Sequence, residues 1–119
     1  MARVLVVEDE TSVAQFIARA LDTAGHNVEL AEDGGIGYRL AMDEHFDLLI
    51  SDIRLPVVDG IALALALSGD QPALPILLMT GFSDKFEHAT DLDEFTAGLL
   101  LKPFSLNELL DAVDGALAR

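Results

Sequence analysis

Hydrophobic and polar positions follow two textures along the chain. Short unbroken apolar runs occur at Val4–Val7, Leu48–Ile50, Ile76–Met79 and Leu99–Leu101. Each is too short for a buried helix, and apolar character at every position fits a strand covered on both faces. The stretch His26-Asn27-Val28-Glu29-Leu30 alternates instead, which predicts a fifth strand nearer an edge. Between these runs the period changes. Val13, Phe16, Ile17, Ala20, Leu21 and Ala24 are spaced as one face of a helix that ends at Gly25. Leu106, Leu109, Leu110, Val113 and Leu117 repeat that pattern near the C-terminus, behind a Ser105-x-x-Glu108 capping box. Residues 35–45 predict a weaker helix with Ile36, Leu40 and Ala41 inward. Ile61–Leu67 alternates large and small as a strand would, but its three alanines are strong helix formers and Asp59-Gly60 suits a helix start, so a helix is expected. Residues 82–94 are mostly polar, with Phe82 and Phe86 four apart, and predict a short helix.

Strands that alternate with helices about every twenty residues build β-α-β units. The fold class that follows is α/β, a five-stranded parallel sheet with helices on both faces. The chain has 119 residues, no linker, no low-complexity tract and no internal repeat, so residues 1–119 are expected to form one domain.

In an open parallel sheet the carboxyl ends of the strands share one edge, where ligands bind. Glu8 and Asp9 follow the first predicted strand, Asp52 the third, Thr80 the fourth and Lys102 the fifth. Three carboxylates, a hydroxyl and one of the chain's two lysines should therefore converge. Carboxylates held together repel, and a divalent cation resolves the repulsion; all-oxygen donors favour Mg²⁺ or Mn²⁺ over zinc. A cation, an ammonium and a hydroxyl around an aspartate suit a phosphoryl group, which an aspartate can accept as an acyl phosphate.

Charge narrows the classes. Seven basic against 21 acidic residues give a net −14, which disfavours nucleic acid and anionic membrane as partners. The absence of cysteine excludes disulfides, thiolate metal sites and thiol nucleophiles. The apolar run at the N-terminus is too short for a signal peptide or a membrane span, so a soluble cytoplasmic protein is expected. His26, His45 and His88 have no ligand spacing and read as ordinary surface or part-buried residues. Gly34-Gly35-Ile36-Gly37 lacks the full G-x-G-x-x-G of a nucleotide site. Phe82, Phe86 and Phe95 are either core or an exposed partner patch.

Val-Glu-Asp-Glu at 7–10, Asp52-Ile-Arg-Leu-Pro-Val-Val-Asp-Gly through 60, Thr80-Gly81 and Lys102-Pro103-Phe104 resemble, in order and spacing, the receiver domain of two-component response regulators. The resemblance covers essentially the whole chain. It implies the doubly wound CheY-like, flavodoxin-like sheet with strand order 2-1-3-4-5. It implies Asp52 as phosphoryl acceptor and Mg²⁺ held by Asp9, Asp52 and the Arg54 carbonyl, with Glu8 acting through a water. Thr80 would bond a phosphoryl oxygen, Lys102 would pair with the acceptor or phosphoryl group, and Lys102-Pro103 would be cis. The implied donor is a sensor histidine kinase or histidine phosphotransfer protein, and the implied output a contact with a downstream protein.

The chain departs from that family twice. Glu8-Asp9 stands where many receivers have two aspartates, and Leu99 where many have Tyr or Phe. A leucine cannot swing a ring between exposed and buried positions, which moves the expected output to the loop after Thr80 and the helix of 82–94. With the chain ending one helix after Lys102, no output domain is expected. A narrower likeness, to single-domain regulators of proteolysis in alphaproteobacteria, would make that partner a protease or its adaptor. Two other readings compete. A dehalogenase-type phosphatase needs a second acid where Arg54 stands, which argues against it. A phosphorylation-independent binding module, or a phosphate sink or relay, uses the same fold.

Overall fold

The computed structural model describes residues 1–81 and 96–118. The helix expected over 82–94, with Phe82, Lys85, Phe86, His88 and Phe95, lies outside the described residues. Five strands, β1 (Arg3–Val7), β2 (Asn27–Ala31), β3 (Leu48–Asp52), β4 (Ile76–Thr80) and β5 (Gly98–Leu101), form one parallel sheet in the order β2-β1-β3-β4-β5. The described helices are α1 (Thr11–Thr23), α2 (Gly34–Asp43), α3 (Gly60–Asp70) and α4 (Leu106–Leu117).

Two hydrophobic layers sandwich the sheet. Val4, Val6, Leu48, Ile50, Leu77 and Met79 meet Ile17, Leu21, Leu109 and Val113 of α1 and α4 on one face. Leu5, Val7, Leu49, Ile76 and Leu78 meet Ala41, Leu63 and Leu67 of α2 and α3 on the other. Every residue of β3 and β4 is buried, which is why those strands are apolar throughout. Each fully buried leucine contributes roughly 1.5–3 kcal/mol relative to an exposed one.

Several expectations are corrected. β3 and β4 run two and one residues further than their apolar runs, so Ser51, Asp52 and Thr80 lie inside the ladder rather than beyond it. β5 is not covered on both faces: Leu100 is buried, while Leu99 and Leu101 are exposed at 36% and 48% because β5 ends the order. β2 does lie at the other edge, with Leu30 exposed. On α1, Ala14 is buried instead of Ala24. Phe16 is half exposed and sits 6.2 Å, centroid to centroid, from Phe104. α2 ends at Asp43 rather than 45, and its buried face is Gly34, Gly37 and Ala41, with Ile36 and Leu40 only partly covered. Phe46, just beyond it, enters the core unforeseen. The Ile61–Leu67 alternation is helical: Leu63, Ala64 and Leu67 fall on one buried stripe, while Leu65 faces out. The α4 capping box is complete, Ser105 Oγ accepting from Glu108 N at 3.1 Å and Glu108 Oε1 from Ser105 N at 3.0 Å.

Candidate functional site

Register brings the site together. β1 pairs β3 through Val7 and Ser51, β3 pairs β4 through Asp52 and Met79, and β4 pairs β5 through Thr80 and Leu101. The carboxyl ends of four strands are thus level, and Glu8, Asp9, Asp52, Thr80 and Lys102 fall on one edge. Carboxylate oxygens of Glu8, Asp9 and Asp52 lie within 4.8 Å of one another. Glu8 and Asp52 are buried at 3% and 8% exposure, and Asp9 is exposed. Lys102 Nζ donates to Glu8 Oε2 at 3.0 Å and lies 3.3 Å from Asp52 Oδ2.

The backbone and two hydroxyls supply further contacts. Ile53 N–H donates to Asp52 Oδ1 at 2.9 Å, and Glu10 N–H to Glu8 Oε1 at 3.2 Å. The Ser51 hydroxyl donates to the Asp52 carbonyl at 2.9 Å. Lys102-Pro103 is cis, and Lys102 N–H donates to the Thr80 carbonyl at 2.6 Å. Thr80 is 6% exposed at the end of β4, its hydroxyl 3.4 Å from the Gly81 carbonyl. Arg54 is exposed in the loop that leaves Asp52.

Electrostatics match this crowding. Burial pushes the Asp52 carboxyl above its ordinary value, against the pull of Lys102. Burial does the same to Glu8, with the Asp52 charge adding to it and Lys102 opposing it. Lys102 loses by burial but gains more from its bonds to Glu8 and Asp52, and ends above its ordinary value. Two buried acids and a third beside them exceed what one ammonium neutralises. Three convergent carboxylates, with no imidazole or thiolate grouped with them among the described residues, form a hard-oxygen set, which fits Mg²⁺.

Sequence reasoning missed Gly60. A Cβ there would lie 2.1 Å from the Asp52 carbonyl oxygen, so the first turn of α3 packs directly on the backbone of Asp52. The Asp52…Asp59-Gly60 run entered the reading as a helix start and as part of the receiver-like motif, without a contact assigned to Gly60. His26 Nδ1 accepts from Ala2 N–H at 3.0 Å, and His45 is exposed beside Asp47.

A doubly wound sheet whose carboxyl edge carries three acids, two of them ion-paired to a lysine, defines the receiver class of signalling domains. Comparison agrees: residues 4–114 match the family model of the response regulator receiver domain, and the chain belongs to that family. It is 32% identical over 119 residues to the response regulator ArlR of Staphylococcus aureus, covering all of this chain and 54% of that protein. The chain thus spans about half the length of the curated relatives it matches. Among solved structures it is similar to the chemotaxis response regulator CheY4 of Vibrio cholerae, at 31% identity and TM-score 0.88 over 98% of both chains. A putative response regulator from Chloroflexus aurantiacus matches at 30% identity and TM-score 0.90, over 99% of this chain and 98% of that one. The family is one of signalling phosphoacceptors rather than of turnover enzymes. No helix among the described residues is long and apolar enough to cross a membrane.

Proposed function

We propose that the chain is a phosphorylation switch in which Asp52 accepts a phosphoryl group from the phosphohistidine of a sensor kinase or phosphotransfer protein. The observation that carries this reading is the Asp52 carboxylate itself. It lies 3.3 Å from the Lys102 ammonium and within 4.8 Å of the oxygens of Glu8 and Asp9, at the edge where the sheet opens. An Asp52 oxygen attacks phosphorus in line, the donor N–P bond breaks with its electron pair going to nitrogen, and the imidazole, protonated on its other ring nitrogen, leaves neutral. Mg²⁺, held by Asp9, Asp52 and the Arg54 carbonyl with Glu8 through a water, would supply charge neutralisation at the equatorial oxygens. Lys102 then exchanges part of its carboxylate pairing for the added charge, and the Thr80 hydroxyl bonds a phosphoryl oxygen.

Output is a change of protein contact in the cytoplasm, with a protease or its adaptor the narrower candidate for the partner. Leu99, exposed on β5, offers no ring to report the change, so output passes through Thr80 and the segment after it. Arg54, standing where an aspartate phosphatase needs a general acid, supports a switch over a turnover enzyme.

Incubation with Mg²⁺ and acetyl phosphate, read by intact mass, tests this. Wild type should gain one phosphoryl group and Asp52→Asn none. A wild type that gains nothing at saturating donor and metal leaves the binding-module reading in its place. Steady turnover of unrelated phosphate esters would instead make the chain an enzyme.

A further inference from the structure

Val57 is the one non-glycine with positive φ among the described residues, at 72°. A β-branched side chain is strained there. Val57 is also 80% exposed, so burial of its own side chain does not offset the strain. Val58 N–H donates to the Pro56 carbonyl at 2.9 Å, which closes a three-residue γ-turn around Val57. With a positive central φ this is the rare and strained form of that turn.

The turn is held from outside the loop. Gly34 N–H, at the start of α2, donates to the same Pro56 carbonyl at 3.3 Å. A Cβ on Gly34 would lie 1.9 Å from the Val58 carbonyl oxygen, so only glycine lets the two backbones meet. A Cβ on Gly35 would come within 3.1 Å of Val57 Cγ1. At the other end Gly60 N–H donates to the Ile53 carbonyl at 2.7 Å. The segment from Ile53 to Gly60, which includes Arg54, is therefore pinned in its middle by α2 and at its end by α3.

We propose that Val57 and Gly34 are positioning residues for the site: a strained turn, seated on the glycines of α2, sets how the segment after Asp52 lies. This deepens the phosphoacceptor reading and rests on it. It also gives the Gly34-Gly35 pair a role that no ligand supplies. The strain is shed only by opening the turn, so valine keeps the closed loop less populated than glycine would. A residue at ease with positive φ should preorganise the site, and a bulkier β-branched one should not.

The test uses the full chain with Val57→Gly, Val57→Asn and Val57→Ile, melted in EDTA and titrated with Mg²⁺ by calorimetry. The exposed position makes these variants change little buried area. Val57→Gly should raise Tm by about 3 °C and tighten Mg²⁺ about threefold. Val57→Asn should move both in the same direction, and Val57→Ile should match wild type. Gly34→Ala should weaken Mg²⁺ about tenfold with melting still cooperative; if it does not fold, the Val57 series decides. A Val57→Gly variant with unchanged or lower Tm, or with unchanged or weaker Mg²⁺ binding, overturns the proposal. If wild type neither binds Mg²⁺ nor gains a phosphoryl group, the phosphoacceptor reading and the positioning role fall together. The melting order in EDTA then still decides whether the turn is strained.

Discussion

At the scale of single residues, the proposed site gathers its acids at a cost to folding. Asp52 and Glu8 are buried next to one another, and both carboxyls are pushed above their ordinary values by that burial. A group whose folded pKa is raised favours the fold while protonated. That contribution is complete below the ordinary carboxylate range and is lost as pH rises through the raised folded value. In EDTA at neutral pH, Asp52→Asn should therefore be more stable than wild type, by about 1 kcal/mol, and melt higher. The advantage should shrink as pH falls through the raised value of the wild-type carboxyls and vanish below the ordinary carboxylate range. Thermal melts of the two proteins across pH check this, and a wild type as stable as the variant at neutral pH would contradict it. Glu8 uses its longer arm to reach Lys102 at 3.0 Å, so the departure from a double aspartate keeps both charge and contact. The acids and the lysine were legible in the sequence because they break apolar runs. The Ile53 amide on Asp52 and the contact of Gly60 with its carbonyl were not, since both are backbone contacts without a side-chain signature.

At the scale of elements, helix identity came from different sources. α4 carries its own signals: a one-sided apolar stripe and a complete capping box. Ser105→Ala removes one acceptor and frees Glu108 from its reciprocal bond, and should cost about 1 kcal/mol, with the loss read as a lower melting midpoint. No change in stability would show the cap to be redundant. α3 is the contrary case, because its period-two alternation favoured a strand and only alanine content and the Asp59 start favoured a helix. Asp59 does cap it, its carboxylate accepting from Ala62 N–H at 2.8 Å, and burial of Leu63 and Leu67 against the sheet completes the helix. The outward turn of Phe16 on α1 follows from packing, as it meets Phe104 rather than the sheet.

At the scale of the whole molecule, the net charge of −14 acts as a diffuse repulsion on a body with a 12.7 Å radius of gyration. Screening reaches about 10 Å at 0.1 M salt, comparable to that radius. Raising KCl from about 20 to about 200 mM, without divalent ions, should raise Tm. A Tm that falls with salt would mean that ion pairs such as Lys102 with Glu8, rather than bulk repulsion, dominate.

The sequence by itself determined the alternation of strands and helices, the identity of the acids, hydroxyl and lysine at the strand ends, and the cap of α4. These are local properties: periodicity, propensity and the positions where polar residues interrupt apolar runs. Tertiary structure decided what depends on distant neighbours. It carried Asp52 and Thr80 into the ladder, because Met79 and Leu101, the last apolar residues of the neighbouring runs, stand level with them and pair. It left Leu99 and Leu101 exposed on an edge strand that reads like a buried one. It also joined Gly34 to Pro56 and Gly60 to Asp52, close approaches whose only trace in the chain is a missing side chain.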